Sequence, residues 1–249
     1  MIKIFSAKNN IESGVFAAGV LADVIKSKPN AVIGLATGSS PLAMYSELIR
    51  MCKQGEISFK EVKSVNLDEY VGLAPDHDQS YAYFMNENLF NHVDIDKSNT
   101  YLPDGLATDP GAECKRYDGV VESMGGVDIQ VLGIGNNGHI GFNEPTDHFA
   151  KTSILVELTD STIDANSRFF ASRDLVPTKA ISMGIGQIMA SSKIILLAYG
   201  KGKAEILEKA LFGPVTPEVP ASILQFFHGE VIVCADEDAL SVIREKHSL

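Results

Sequence analysis

The stretch "VLGIGNNGHIGFNEP", residues 131–145, admits two readings, and the choice between them decides what kind of α/β chain this is. Gly133, Gly135 and Gly138 have the spacing of a dinucleotide-binding loop, and Glu157 stands nineteen residues beyond Gly138, near where such a loop places its ribose-binding acid. The context argues against a cofactor cradle. The third glycine of that loop opens a long helix, whereas here "HIGFNEP" brings Gly141 and Pro145 within seven residues. The motif also lies in mid-chain and not on a first βαβ unit. Read as chemistry, the residues fit better: His139 is a candidate for exchanging protons with a hydroxyl, Glu144 for orienting it, and Asn137 for bonding a substrate oxygen. A histidine bonded only to its own loop is the plain structural alternative.

Outward from this stretch, short apolar runs alternate with segments of helical period. Runs 31–35, 62–67, 127–134, 153–158, 193–199 and 230–235 read as buried strands, and another strand starts the chain. Helical patterning covers 11–28, 41–54, 80–90, 111–125, 203–212 and 236–246. The alternation predicts a three-layer α/β fold, a mostly parallel sheet with helices on both faces, in a single domain over residues 1–249. The proline-rich segment 212–222 reads as a surface loop within that domain.

At 249 residues and 45% hydrophobic content the chain can bury a full core. A formal net charge of -11 argues against nucleic acid or an anionic membrane as partner, so an anionic ligand needs a few local cations and amides. "MIKIFSAKNN" is too polar for a signal peptide, and no run has the apolar length of a membrane span, so a cytoplasmic protein is expected. Cys52, Cys114 and Cys234 are odd in number and far apart, which suits free thiols in a reducing compartment. His77, His92, His148 and His228 are scattered without ligand spacing, so no metal site is expected.

Two further turns sit at carboxyl ends of expected strands. "GLATGSSP" offers Gly38, Ser39 and Ser40 ahead of Pro41, where a helix begins, an arrangement suited to a phosphate or carboxylate. It lacks the Gly-Lys-Ser/Thr ending of a nucleotide P-loop. "VNLDEYVGL" leads an apolar run into Asp68 and Glu69, of which strand alternation should turn only one into a cleft. An anion cradle, a carboxylate and a histidine meeting in one crevice suit proton transfer on a phosphorylated sugar without a cofactor.

These motifs resemble those of the glucosamine-6-phosphate deaminase family: "ATGSSP", "NLDEYVGL", "QSYAYFMNENLF", "GIGNNGHIGFNEP", "NSRFF" and "ISMGIGQIM", in the family's order over nearly the whole chain. The resemblance implies conversion of glucosamine 6-phosphate and water to fructose 6-phosphate and ammonia. It implies that His139 is the base for ring opening, supported by Glu144 and Asn137, and that Asp68 moves a proton from C2 to C1. It further implies that Gly38, Ser39, Ser40, Arg168 and Lys203 hold the phosphate and that a lid around residues 155–180 closes over the sugar.

Where some members carry aspartate, this chain has Asn137, which cannot be a base. Hexameric members activated by N-acetylglucosamine 6-phosphate carry basic residues where Ile154 and Val156 stand here, and a longer tail, so a non-allosteric monomer or small homo-oligomer is expected. A 6-phosphogluconolactonase-like hydrolase and a non-catalytic sugar-phosphate sensor are the alternatives. A lactonase has no use for a carboxylate at C2, and a sensor that regulates transcription needs a basic DNA-binding segment that this sequence does not display.

Overall fold

The computed structural model describes residues 1–247. Its frame is a seven-stranded sheet of β1 (Ile2–Ala7), β2 (Val32–Leu35), β3 (Lys63–Asn66), β5 (Thr100–Tyr101), β6 (Ile129–Gly133), β9 (Lys193–Ala198) and β10 (Glu230–Asp236). These lie in the order β1-β10-β9-β6-β2-β3-β5, and every pairing between them is parallel. The inner strands β2, β6, β9 and β10 are rich in buried Val, Ile and Leu because both faces are covered.

Helices α1 (Asn10–Ser27), α2 (Leu42–Lys53) and α3 (Tyr81–Asn88) follow strands that step one way along the sheet. Helices α4 (Pro110–Ser123) and α7 (Ala204–Phe212) follow strands that step the other way. Right-handed crossovers therefore place the two groups on opposite faces, which gives the three layers expected from the sequence. The direction of winding reverses between β2 and β6, which are neighbours, so their outgoing loops part and leave a crevice at the carboxyl edge.

Three expectations need correction. Residues 153–158 do not join the parallel sheet. They form β7 (Ile154–Glu157) of a separate antiparallel sheet ordered β4-β8-β7, with β4 (Asp68–Tyr70) and β8 (Lys179–Ser182). Val156 is buried whereas Leu155 and Glu157 are exposed, so this is a half-covered strand whose alternation outweighs its apolar content. The helix expected from 236 starts only at α8 (Ser241–Lys246), because Asp236 ends β10 and its carboxylate accepts from the Gly200 and Ala239 amides. The segment 212–222 is not all surface loop: Pro220, Ala221 and Ser222 are buried, and the Ala221 amide donates to the Gly138 carbonyl at 2.9 Å. Its far end thus props the His139 turn from below.

Two further short helices are α5 (Asp160–Asn166) and α6 (Ile185–Met189). The second sheet, with α5, packs around Tyr70, Phe142, Val156, Leu158 and Ile163 as a cluster apart from the main core. Among the described residues no helix is long and apolar enough to cross a membrane.

Candidate active site

The crevice at the β2/β6 divide is a cleft of about 790 Å³, a size usual for small-molecule sites. Gly38, Ser39, Ser40, Asp68, Asn137, His139, Arg168 and Lys203 all line it. Of the candidates named from the sequence, only Glu144 stands behind the wall.

The turn at Gly38–Ser40, the candidate anion cradle, is shaped locally. Gly38 has a φ of 86°, a left-handed conformation open to glycine, and it lets the chain leave β2 and enter α2 at Pro41. The Tyr45 hydroxyl, buried in the first turn of α2, donates to the Ala36 carbonyl at 2.6 Å and braces the loop from beneath. Ser39 and Ser40 are left facing the cleft at the positive end of α2.

The chain crosses from the parallel to the antiparallel sheet at Leu67, which sets Asp68 at the junction. Strand alternation separates the two acids as expected. Glu69 turns away and accepts from the amides of Tyr70, Tyr81 and Ala82 at 2.8, 2.9 and 2.9 Å, binding β4 to the start of α3. Asp68 faces the cleft. Burial, and then the nearby Glu69 charge, push its carboxyl up to about 8. Tyr70, Tyr81 and Phe142 pack together beside it, with Tyr70 and Tyr81 ring centroids 4.8 Å apart.

The stretch after β6 folds without a helix. Gly138 donates to the Gly135 carbonyl at 3.1 Å, and Gly135 donates to the His139 carbonyl at 2.9 Å, so the loop closes on itself and presents the imidazole inward. His139 Nδ1 lies 3.5 Å from Glu144 Oε2. That separation is an ion-pair contact and not yet a hydrogen bond, and the buried Nδ1 has no bonded partner among the described residues. Glu144 Oε2 accepts from Asn137 Nδ2 at 2.6 Å, and Oε1 accepts from Thr162 at 2.5 Å and Thr159 at 3.2 Å. Burial would raise the Glu144 carboxyl. The His139 ring close by, with hydrogen bonds from Thr162 and Asn137, outweighs it and holds the group down at about 2.

Two cations, Arg168 and Lys203, line the cleft as well. Arg168 comes from the turn after α5, its guanidinium 4.6 Å from the Phe169 ring centroid. Lys203 precedes α7 and donates to Asn136 Oδ1 at 2.6 Å. Burial, and then the Arg168 charge, lower the Lys203 amine to about 8. Two like charges held close in an acidic chain are what a dianion would relieve.

Sequence reasoning missed Thr37, Tyr81, Phe142, Thr162 and Asn166 as parts of the cleft. Thr37, Tyr81, Phe142 and Asn166 lie within the motifs quoted above, but nothing in their local pattern assigns them a place in the cleft. The pattern Thr159-x-x-Thr162 could have been read as a helix start, since Thr159 caps α5 and accepts from the Thr162 amide.

Comparison with known proteins agrees in extent with this geometry. The profile of the family described as glucosamine-6-phosphate isomerases/6-phosphogluconolactonase matches residues 14–233. A glucosamine-6-phosphate deaminase of Clostridium perfringens is 51% identical over 98% of this chain and 100% of its own length. One of Lachnoclostridium phytofermentans is 52% identical over 95% of this chain and 100% of its own. The solved structure of a monomeric glucosamine-6-phosphate deaminase superposes with a TM-score of 0.94 at 44% identity, covering 96% of this chain and 99% of that one. A cleft at the sheet's switch point, its residues drawn from turns along the whole chain, and relatives alike from end to end agree on one conclusion: this chain belongs to the glucosamine-6-phosphate isomerase/6-phosphogluconolactonase family.

Proposed function

We propose that this protein is a glucosamine-6-phosphate deaminase that converts glucosamine 6-phosphate and water to fructose 6-phosphate and ammonia. The observation that carries the reading is Asp68, a buried carboxyl pushed up to about 8 in the same cleft as a histidine–carboxylate pair and an anion-binding turn. A lactonase needs the turn and the histidine but no second base.

The phosphate is held by the Gly38–Ser39–Ser40 turn, Arg168 and Lys203. His139 takes the anomeric proton and returns it to the ring oxygen, opening the sugar to the aldehyde. Glu144 stays ionised beside it, and Asn137 bridges that carboxylate to the turn. Asp68, in its ionised form, removes the proton at C2, which the new aldehyde acidifies. The same proton goes back to C1 while the amino group gives a proton to the former aldehyde oxygen, leaving a ketose imine that water hydrolyses to the ketose and ammonia. A desolvated carboxylate is a stronger base than an exposed one, which suits removal of a proton from carbon.

Residues 1–249 act as a single domain, with α5 and the turns around 155–180 as a lid that carries Arg168 over the phosphate. The protein works in the cytoplasm as a monomer or small homo-oligomer, a reading supported by its likeness to a relative described as monomeric.

The test is an assay of purified protein with glucosamine 6-phosphate and no added metal or nucleotide, following ammonia and fructose 6-phosphate together. Equal amounts of both are expected. A folded protein that forms neither would overturn the assignment.

A further inference from the structure

We propose that Thr162 is a positioning residue that couples the α5 lid to the proton-transferring pair, His139 and Glu144. The role of that pair rests on the deaminase reading above; the coupling itself rests on geometry.

One carboxylate serves two masters. Its Oε1 accepts from Thr162 Oγ1 at 2.5 Å and from Thr159 Oγ1 at 3.2 Å, and both threonines belong to the first turn of α5. Its Oε2 accepts from Asn137 and faces His139 Nδ1 at 3.5 Å. A carboxylate is planar and rigid, so fixing one oxygen fixes the other. Thr162 is itself buried at the wall of the cleft, so the carboxylate is the acceptor its hydroxyl relies on.

The far end of α5 is pinned as well. Asn166 Nδ2 donates to the Tyr70 hydroxyl at 2.9 Å, and Tyr70 belongs to the aromatic wall beside Asp68. Arg168 follows two residues later. The helix thus spans from the histidine's carboxylate to the aromatic wall, with the phosphate-facing cation at its end. If α5 lifts, Glu144 loses two of its three side-chain donors and keeps only Asn137, about which the carboxylate can turn away from His139. When α5 returns with a phosphate under Arg168, the carboxylate is set again. Ring opening is thereby tied to a closed cleft.

If Thr162 did no more than hold the first turn of the helix, its loss would loosen the lid and weaken phosphate binding alone. Arg173 supplies the comparison, because it pairs with Asp160 and Asp164 on the outer side of α5 at 2.5 Å each and touches neither His139 nor Glu144.

The experiment measures ammonia release by the wild type, Thr162→Val, Thr162→Ser and Arg173→Gln, together with the NMR signals of the histidine rings. Thr162→Val should lower kcat roughly ten- to a hundredfold, the usual effect of losing a hydrogen bond to a charged group, with KM little changed. It should also shift the His139 ring signal and leave those of His77 and His228 in place. Thr162→Ser should restore both readouts, and Arg173→Gln should move KM without kcat. A Thr162→Val enzyme with intact kcat, or an unmoved His139 signal, would sink the proposal. If the wild type releases no ammonia yet Thr162→Val still shifts His139, the deaminase reading falls and the coupling stands.

Discussion

The imidazole of His139 lies over the α-carbon of Gly135, so closely that a Cβ at Gly135 would come within 2.4 Å of the ring. The glycine that makes this stretch look like a nucleotide loop is the space in which the histidine sits. Gly135→Ala should displace the ring while leaving the sheet beneath intact. A kcat lowered by about a hundredfold, the scale of a displacement near 1 Å, is expected with little change in Tm. An alanine variant of full activity would show that the ring works from another position.

Asp68, the proposed base at C2, opposes folding as the pH rises. Its folded value of about 8 lies above the ordinary 3.8, so the folded state holds a proton that the unfolded chain releases. Stability from this group is complete below about 4 and is lost as the pH rises toward about 8. Asp68→Asn should therefore raise Tm by a few degrees at pH 8 but not at pH 4, while ammonia release falls roughly 10²- to 10⁴-fold. Thermal melts at the two pH values decide it, and an asparagine variant less stable at pH 8 would contradict the assigned environment.

Lys203 should take up a proton when phosphate binds. Burial and Arg168 hold its amine at about 8 against the ordinary 10.5, and a dianion between the two cations should raise it again. Calorimetry of inorganic phosphate binding at pH 9, in buffers of different ionisation heat, should register net proton uptake. Lys203→Met should abolish that uptake and weaken binding. A heat that does not depend on the buffer would place the phosphate elsewhere.

The rate should depend hyperbolically on glucosamine 6-phosphate and be indifferent to N-acetylglucosamine 6-phosphate. Ile154 and Val156 line an apolar pocket of about 370 Å³ behind Glu144, which offers an effector phosphate no cation from β7. Steady-state rates with and without the effector test this, and a sigmoidal curve straightened by it would refute it.

Most of the parallel sheet was legible because its central strands are apolar runs, which only a core covered on both faces stabilises, whereas the two-residue edge strand Thr100–Tyr101 was not. The second sheet was not. Asp68–Tyr70 is charged and three residues long, Lys179–Ser182 is four, and the two are strands only because each finds the other across a long stretch of chain. Residues 153–158 misled for a related reason: an apolar run records that something covers it, not which sheet it joins.

The sequence by itself determined which turns hold the candidate side chains and that those turns lie at strand ends, because turn residues and strand periodicity are local properties. It also determined that Asp68 and Glu69 face opposite ways, since alternation is intrinsic to a strand. The contacts were left to the tertiary structure. The 3.5 Å approach of Glu144 to His139, the hold of Thr162 on the same carboxylate and the basicity of Asp68 arise where segments distant in sequence shut out water together. Desolvation and hydrogen-bond geometry depend on every neighbour a group has in space, and no stretch of chain carries that list on its own.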